Sequence, residues 1–522
     1  MRMWFRQKVR VLIFGTGAGG INYYKSSRGN HKVIGFLDNN QQKQGQSLFG
    51  KTIYAPEQLA HLSYDKIIIA SDYYREISDQ LIGKLAISEN KISVYFATQI
   101  SRSKLQRLRK SAELLGYERI CRNPGWVSDW LYRFMMGVTS SRVQRMQVRW
   151  LDDMSVNKVH IFRPSMESQV QGPRYLNQHV TPTDITLPEV ALYHFRHGQI
   201  YSVSRSVILP DEQIVIERVT TSGSAEADYS CAHLLHHGQN LALVRTSQPE
   251  HIEKGILISG CNELNYYHWV LEILSQLQFI EELPGQYADY PILISMSSQK
   301  ILSIKTLIES FGIQRPFIYL SSLTAYKVDD LLLICAPNNL IPNIKGTAWN
   351  VAENSFARHE SIMFLREKAL ALSRRTTRNA LPKRVFLARK GFLRNYNQVE
   401  IMAQCEAHDF VSVYMEDHDV SQQIAIMANA EIIVGPTGAA WTNIIFASAG
   451  VKALCWMAQE WGALSCYSNL AAIVGVEMDY IPYQAGTSDS RELYYAPYSI
   501  DANTVTTWLQ RHLPVTAVRE SL

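Results

Sequence analysis

Residues 432–450 read IIVGPTGAAWTNIIFASAG. Ile432 to Val434 is a short apolar run of the kind that forms a strand buried inside a parallel sheet. Gly435, Pro436, Thr437, Gly438 and Ala439 make a turn, and Ala440 to Ala449 follows as a helix rich in small residues. A strand that feeds a small-residue turn and a helix presents free backbone N–H groups where an anion can come close. The stretch reads as the donor-binding loop of a transferase. An ordinary strand-to-helix turn in an α/β core has the same pattern.

The segments on either side extend an α/β reading. Arg384 to Ala388 (RVFLA) is a strand, and Arg389, Lys390 and Arg394 come immediately after it, with Asn395 and Asn397. Cations at the carboxyl end of a strand are placed to clamp a diphosphate, and arginine suits bidentate contact. Asn397 to Ala407 reads as a helix and Phe410 to Tyr414 as a strand. Asp419 to Gln422 has capping-box form and opens a helix running to Ala430. Beyond the central stretch come a strand, Lys452 to Trp456, a tyrosine-rich tail and a last helix, Ala502 to Leu513. Asp417-His418-Asp419 is a D-x-D pattern that would suit a metal-dependent transferase, but acids just before a helix are accounted for by capping.

Upstream, Gly255 to Ser259 is a strand and Asn265 to Leu277 reads NYYHWVLEILSQL. On a helix His268 and Glu272 lie one turn apart on one face. Such a pair can act as general base and orienting carboxylate; equally, it can be a plain ion pair on a packed helix. Strands Pro291 to Ser295, Phe317 to Leu320 and Asp330 to Cys335 surround a helix, Lys300 to Phe311, which makes a second α/β unit. Ile344 to Arg374 reads as the bridge to the last domain. Between residues 151 and 250 short strands are expected at Val159–Phe162, Ile200–Val203, Val207–Leu209 and Gln213–Glu217. The histidines there, His194, His197, His233, His236 and His237, show no metal spacing.

The amino-terminal run Lys8 to Gly20, KVRVLIFGTGAGG, is a strand, Val9 to Phe14, followed by Gly15, Gly17 and Gly20 in G-x-G-x-x-G spacing. A second strand, Lys32 to Leu37, ends in Asp38, where an acid meets a ribose hydroxyl. A third, Lys66 to Ala70, completes a βαβαβ order and predicts a Rossmann-type domain over about residues 8–100.

At 522 residues the chain has room for about three domains. Its seven cysteines include no C-x-x-C pair, which fits a reducing, cytoplasmic setting better than a disulfide framework. No apolar run reaches membrane-spanning length. The opening MRMWFRQKVRVLIFGTG has the basic flank of a signal peptide, but its apolar run is short and ends in the glycine fingerprint. The net charge of +5 is uneven: residues 1–150 hold 24 Lys and Arg against 10 Asp and Glu. Much of that excess falls in residues 101–150, where Ser101 to Gly116 (SRSKLQRLRKSAELLG) has helical apolar spacing. A basic segment of this kind either lies on an anionic membrane surface or serves as a solvated helical linker.

Two resemblances add to this reading. The run VLIFGTGAGG…VIGFLDNN…IYAPEQL…DKIIIAS resembles the small nucleotide-binding domains of bacterial nucleotide-sugar-modifying enzymes, which implies NAD or a nucleotide-sugar at Gly15, Gly17, Gly20 and Asp38. The blocks NYYHWVLEILSQL, RVFLARKGFLRNYN, EDHDVSQQIAIMANA and IIVGPTGAAWTNIIFASAG resemble, in order, the glycosyltransferase 61 family of capsular polysaccharide biosynthesis and of eukaryotic glycan extension.

This second resemblance implies a GT-B-like pair of Rossmann-type domains, preceded here by the separate small one, in an α/β chain. The implied division is 1–100 nucleotide binding, 101–150 basic linker, 151–345 acceptor half and 346–522 donor half. It implies an inverting hexosyl- or pentosyltransferase that uses a nucleotide-sugar, commonly a UDP-sugar, and needs no metal or other cofactor for transfer. The implied acceptor is a glycan or lipid-linked glycan, with no nucleic-acid partner. Arg389 and Arg394 would meet the donor diphosphate, Asn397 would join them in binding the donor, Gly435 to Ala439 would line the donor, and His268 and Glu272 would be catalytic. The family loop usually reads GPHGAGLTN. Thr437 here replaces its histidine, and Glu272 stands where aspartate is usual. An NAD-dependent nucleotide-sugar-modifying enzyme and a non-catalytic assembly protein of a polysaccharide machine are the alternative readings.

Overall fold

The computed structural model describes residues 9–27, 31–41, 43–71, 77, 80–88, 91–94, 115–122, 125–138, 143–176, 178–217, 227–322, 324–340, 343–344, 355–374, 381–390, 394–487, 493 and 496–513. The chain divides into two compact units, Met1–Glu113 and Leu114–Leu522.

The first unit is a six-stranded sheet. Its parallel strands are Val9–Phe14, His31–Leu37, Lys51–Tyr54, Lys66–Ile69 and Ile92–Val94, and they stand in the spatial order 3-2-1-4-5. That is the strand order of doubly wound sheets that bind dinucleotides. Ser47–Leu48 adds an antiparallel edge. Apolar residues alternate across Val9–Phe14, so Val11 and Ile13 fill one face and Leu12 and Phe14 the other.

The second unit holds two large sheets. In the first, near-continuous apolar runs give four parallel strands, Tyr326–Ile334, Glu250–Ile258, Ile292–Ser295 and Phe317–Leu320, adjacent in that order. Val190–Ile200 and further strands continue this sheet on the Tyr326–Ile334 side. Val190–Ile200 pairs antiparallel over most of its length with Tyr326–Ile334, although no strand is evident there from sequence. Its His194 and Arg196 side chains obscure the pattern; both are taken up by Asp330 on the partner strand.

Val143–Trp150 is a strand of this same sheet. The linker expected over 101–150 therefore ends before residue 143. Met146, Val148 and Trp150 alternate onto one buried face among polar and basic residues, while Val143 packs on the other face beside Ile120 and Leu243. Most of the basic helix expected at Ser101–Gly116 lies outside the described residues, and 115–122 is helical.

The second large sheet is parallel throughout. Arg384–Leu387, Val411–Val413, Ile432–Pro436, Lys452–Ala458 and Glu477–Tyr483 stand in the order 2-1-3-4-5, with Arg174–Tyr175 added at the edge. The order reverses between Arg384–Leu387 and Ile432–Pro436. In sheets of this kind ligands bind outside the carboxyl ends of the strands at such a reversal.

One continuous buried cluster runs through both large sheets. The bridge expected at Ile344–Arg374 is a helix at His359–Ser373. Its Ser361 accepts a hydrogen bond from Gln278 at 3.0 Å, and its Arg366 donates to the Ala447 carbonyl at 2.7 Å. The helix thus ties the segment after His268 to the segment after Thr437.

Candidate active site

A cavity of about 970 Å³ lies at the carboxyl ends of both large sheets of the second unit. One wall is Asn262 to His268, which leaves strand Glu250–Ile258, together with Leu340, which lies beyond Tyr326–Ile334. The other wall is Arg394 and Thr437 to Ala439, at the reversal in the second sheet, with Trp461 and Tyr467. Segments about 170 residues apart in the chain thus meet around one space.

The His268 wall has an irregular helix. Tyr266–His268 is α-helical, Trp269–Ile273 is a wider π-turn and Leu274–Phe279 tightens to 3-10 geometry. Asn265 caps it by accepting from the Tyr267 N–H at 2.9 Å. Wide turns leave backbone carbonyls to satisfy, and such bulges recur at functional sites. Here Asn338 donates to the Leu271 carbonyl at 2.9 Å and Gln276 to the Glu272 carbonyl at 2.7 Å.

His268 lines the cavity, whereas Glu272 lies behind it. His268 Nδ1 and Glu272 Oε1 are 3.0 Å apart, and the same oxygen accepts from the Leu340 N–H at 2.7 Å. Burial opposes a charged imidazole, yet the attraction of the Glu272 carboxylate and the hydrogen bond to it prevail and raise the His268 pKa. The two residues expected to be catalytic are therefore brought together in series: a histidine facing the cavity and a carboxylate orienting it.

Behind the opposite wall, Arg389 leaves the end of strand Arg384–Leu387 and donates from Nη2 to the Thr437 carbonyl, so it reaches the cavity lining through that residue rather than forming part of it. Gly438 follows at the meeting point of two guanidinium groups. A Cβ on Gly438 would stand 3.0 Å from Arg389 Nη2 and 4.0 Å from Arg394 Nη2. Burial, and then the positive charge of Arg394, lower the Arg389 pKa. An anion placed here relieves both effects. Arg394 has a left-handed backbone, φ 53°, and its guanidinium stacks over Trp461 at 5.5 Å. Strained backbone of this sort concentrates at functional sites.

The remaining expected loop contacts divide. Thr437 turns its hydroxyl inward, donating to the Trp456 carbonyl at 2.7 Å, so it presents backbone to the cavity. Gly435 and Pro436 end the strand and lie behind the cavity wall. Gly435 packs on Leu387, where a Cβ would come within 2.7 Å of the leucine Cβ. The expected helix at Ala440–Ala449 is a 3-10 segment, Ala439–Phe446. Asn397 is not part of the cavity wall: its side chain donates to the Ile500 carbonyl and accepts from the Ile500 N–H, both at 2.9 Å. Asp419 forms the expected capping box with Gln422, and Asp417 pairs with Lys390.

Sequence reading missed Glu263. It is 8% exposed and lines the cavity, and its Oε2 is buried with no hydrogen-bond partner among the described residues. Burial raises its pKa, while the hydroxyls of Ser295 and Ser297 act in the opposite sense. A buried carboxyl oxygen without a partner is costly, so the side chain bordering the cavity is a candidate to meet a polar ligand group there.

In the first unit, Gly15 has φ 112°, and a Cβ on it would lie 2.8 Å from the Ala70 carbonyl oxygen. A Cβ on Gly20 would overlap the Gly15 carbonyl oxygen at 1.9 Å, whereas one on Gly17 would meet nothing within 4 Å. Gly15 and Gly20 are thus needed for the turn, and Gly17 leaves open the side from which a phosphate would approach. Asp38 is held by the Thr16 hydroxyl and by Lys43 at 3.3 Å. Burial works against its ionisation, but hydrogen bonds from Thr16 and the Asn40 N–H, with Lys43, keep its pKa below the usual range.

Comparison with known proteins bears on both units. Residues 7–93 match the sequence model described as C2185-like, N-terminal. No curated protein matches the chain. Among solved structures, 17% of the chain is similar to 76% of the UDP-D-quinovosamine 4-dehydrogenase from Vibrio fischeri, at 24% identity and TM-score 0.14. Similarly, 20% of it matches 61% of RSP, a Rex-family repressor, at 16% identity and TM-score 0.16. Residues 266–454 match the Glycosyltransferase 61 family, a span that includes His268, Arg389, Arg394, Thr437 and Gly438, and this match supports a glycosyltransferase.

Proposed function

We propose that the second unit is an inverting, metal-independent transferase of GT-B type. It moves a hexose or pentose from a nucleotide-sugar, most simply a UDP-sugar, to a glycan or lipid-linked glycan in capsular or other cell-surface polysaccharide synthesis. The first large sheet, from Val143 to about residue 345 apart from the edge strand Arg174–Tyr175, supplies the acceptor half, and 346–522 the donor half. The carrying observation is the cavity itself, with His268, backed by Glu272, on one wall and Arg394 and Gly438, backed by Arg389, on the other.

The chemistry follows from that placement. The donor diphosphate lies at Gly438 against Arg389 and Arg394. An acceptor hydroxyl oxygen bonds to the anomeric carbon as the bond to the diphosphate breaks, and its proton passes to Nε2 of His268, whose Nδ1 is committed to Glu272. The arginines and the loop N–H groups take the charge that develops on the leaving diphosphate. Glu272 is a positioning residue. The first unit holds NAD or a nucleotide-sugar, its phosphates at Gly17 and a ribose hydroxyl at Asp38. The enzyme works in the cytoplasm, at the inner face of the membrane.

Nucleotide release from a panel of UDP-, GDP-, CMP- and dTDP-sugars, with polysaccharide fragments as acceptors and with and without a chelator, tests this reading. Chelator-resistant release from one donor supports it. Release that needs a metal, or no release and no donor binding, removes it.

Two further outcomes are expected. Glu272→Gln removes the attraction that raises the His268 pKa, so burial then dominates and the pKa falls. The base form of His268 appears above its pKa, so the acid limb of the pH–rate profile moves to lower pH, while the maximal rate drops as the ring loses its anchor. Glu263→Ala removes a hydrogen-bonding group worth about 1.5–3 kcal/mol to a bound hydroxyl. The KM of one sugar substrate therefore rises about 10- to 150-fold, while a thermal melt shows the fold kept.

A further inference from the structure

The helix Trp126–Val138 carries an aromatic stripe that no neighbour covers among the described residues. Trp126 is 83% exposed, Trp130 62% and Phe134 58%; they recur every fourth residue and so share one face. Trp130 and Phe134 stack with ring centroids 5.7 Å apart. The opposite face is fixed to the body of the unit: Leu131, Tyr132 and Met135 pack beside Tyr117, Ile120, Val143 and Leu243, and the Tyr132 hydroxyl donates to the Val143 carbonyl at 3.0 Å. The stripe therefore cannot turn inward without tearing out this packing. Contiguous exposed apolar surface of this kind marks an interaction site.

The surrounding charge identifies the partner. Arg133 is exposed on the same helix, and Arg119 and Arg122 are exposed on 115–122 just before it. Asp129, the acid of the helix, is taken up by Arg145. In sequence, residues 101–133 contain eight Lys and Arg against three Asp and Glu. A second copy is a poor occupant, because a two-fold contact would set these basic groups against themselves. An anionic lipid surface meets both features: tryptophan and phenylalanine settle at the headgroup boundary and arginines pair with phosphates.

We propose that the helix Trp126–Val138 docks this protein peripherally on an anionic bilayer through Trp126, Trp130 and Phe134. The proposal rests on the membrane-face location given above and supplies its surface; docking involves neither cavity wall, so its failure would leave the transfer chemistry standing.

The test uses the full chain, co-sedimented with phosphatidylcholine vesicles with and without phosphatidylglycerol, beside a Trp126→Ser/Trp130→Ser/Phe134→Ser variant. The side chains are exposed, so the variant melts like the wild type. The wild type is expected to bind the phosphatidylglycerol vesicles and to lose binding as salt shortens the screening length from about 10 Å at 0.1 M to about 3 Å at 1 M. The variant is expected to bind at least about tenfold more weakly, with nucleotide release in vesicle-free solution unchanged. Equal binding by the variant, no binding by the wild type, or a wild-type dimer that the variant dissolves would each overturn the proposal.

Discussion

His268→Gln is expected to lower sugar transfer by about 10²–10⁴-fold, the contribution of a positioned general base, with the donor KM unchanged. Glutamine is the informative replacement. Its amide can still donate to Glu272, which sits 5% exposed and also accepts from the Leu340 N–H. Alanine would leave that buried carboxylate without its side-chain partner and would confuse lost chemistry with lost stability. The glutamine amide cannot take a proton at neutral pH. The variant should therefore bind the donor, melt near the wild-type temperature and turn over slowly, without the acid limb that His268 gives the pH profile. A variant that transfers sugar at the wild-type rate would take His268 out of the mechanism and leave the pair as a structural contact.

Arg389→Ala is expected to act on binding first. A buried, charge-assisted contact to a diphosphate is worth about 2–5 kcal/mol, so donor affinity should fall by about 30- to several-thousand-fold. Turnover should fall as well, because the same charge stabilises the leaving group. Arg389 also donates to the Thr437 carbonyl, so the variant loosens the turn that places Gly438. Arg389→Lys separates the two contributions: lysine keeps the charge but cannot serve the carbonyl and a phosphate oxygen together in one planar fork. A partial recovery of affinity in Arg389→Lys would show how much of the effect is charge alone.

Much of this arrangement was legible in the sequence because it is local. The apolar run Ile432–Val434, the small-residue turn after it and the arginines after Arg384–Leu387 each announce a strand end, and parallel sheets bring strand ends to one side. The one-turn spacing of His268 and Glu272 also survived, despite the π-turn between them. The depth of each residue was not legible. Glu272 lies behind the cavity wall, where its carboxylate meets His268 and the N–H of Leu340, far along the chain. Asn397 looked like a neighbour of Arg394, but Ile500 claims both ends of its amide. Thr437 stands in a turn that reads as ligand-facing, yet the Trp456 carbonyl draws its hydroxyl inward. Val143–Trp150 read as basic linker because Arg145, Gln147 and Arg149 separate its buried residues, and from Met146 to Trp150 that is the alternation of a strand with a buried face. Glu263 carries no periodic signal; only its enclosure beside Ser295 and Ser297 distinguishes it.

The central claim is that a nucleoside diphosphate rests at Gly438 between Arg389 and Arg394, opposite His268. Calorimetric titration with UDP, GDP, CDP and dTDP tests it most directly, comparing wild type, His268→Gln and Arg389→Ala. The account predicts that one of these nucleotides binds wild type and His268→Gln alike and loses about 100-fold in affinity for Arg389→Ala. Equal affinity for Arg389→Ala, or no binding of any of the four to the wild type, would contradict it.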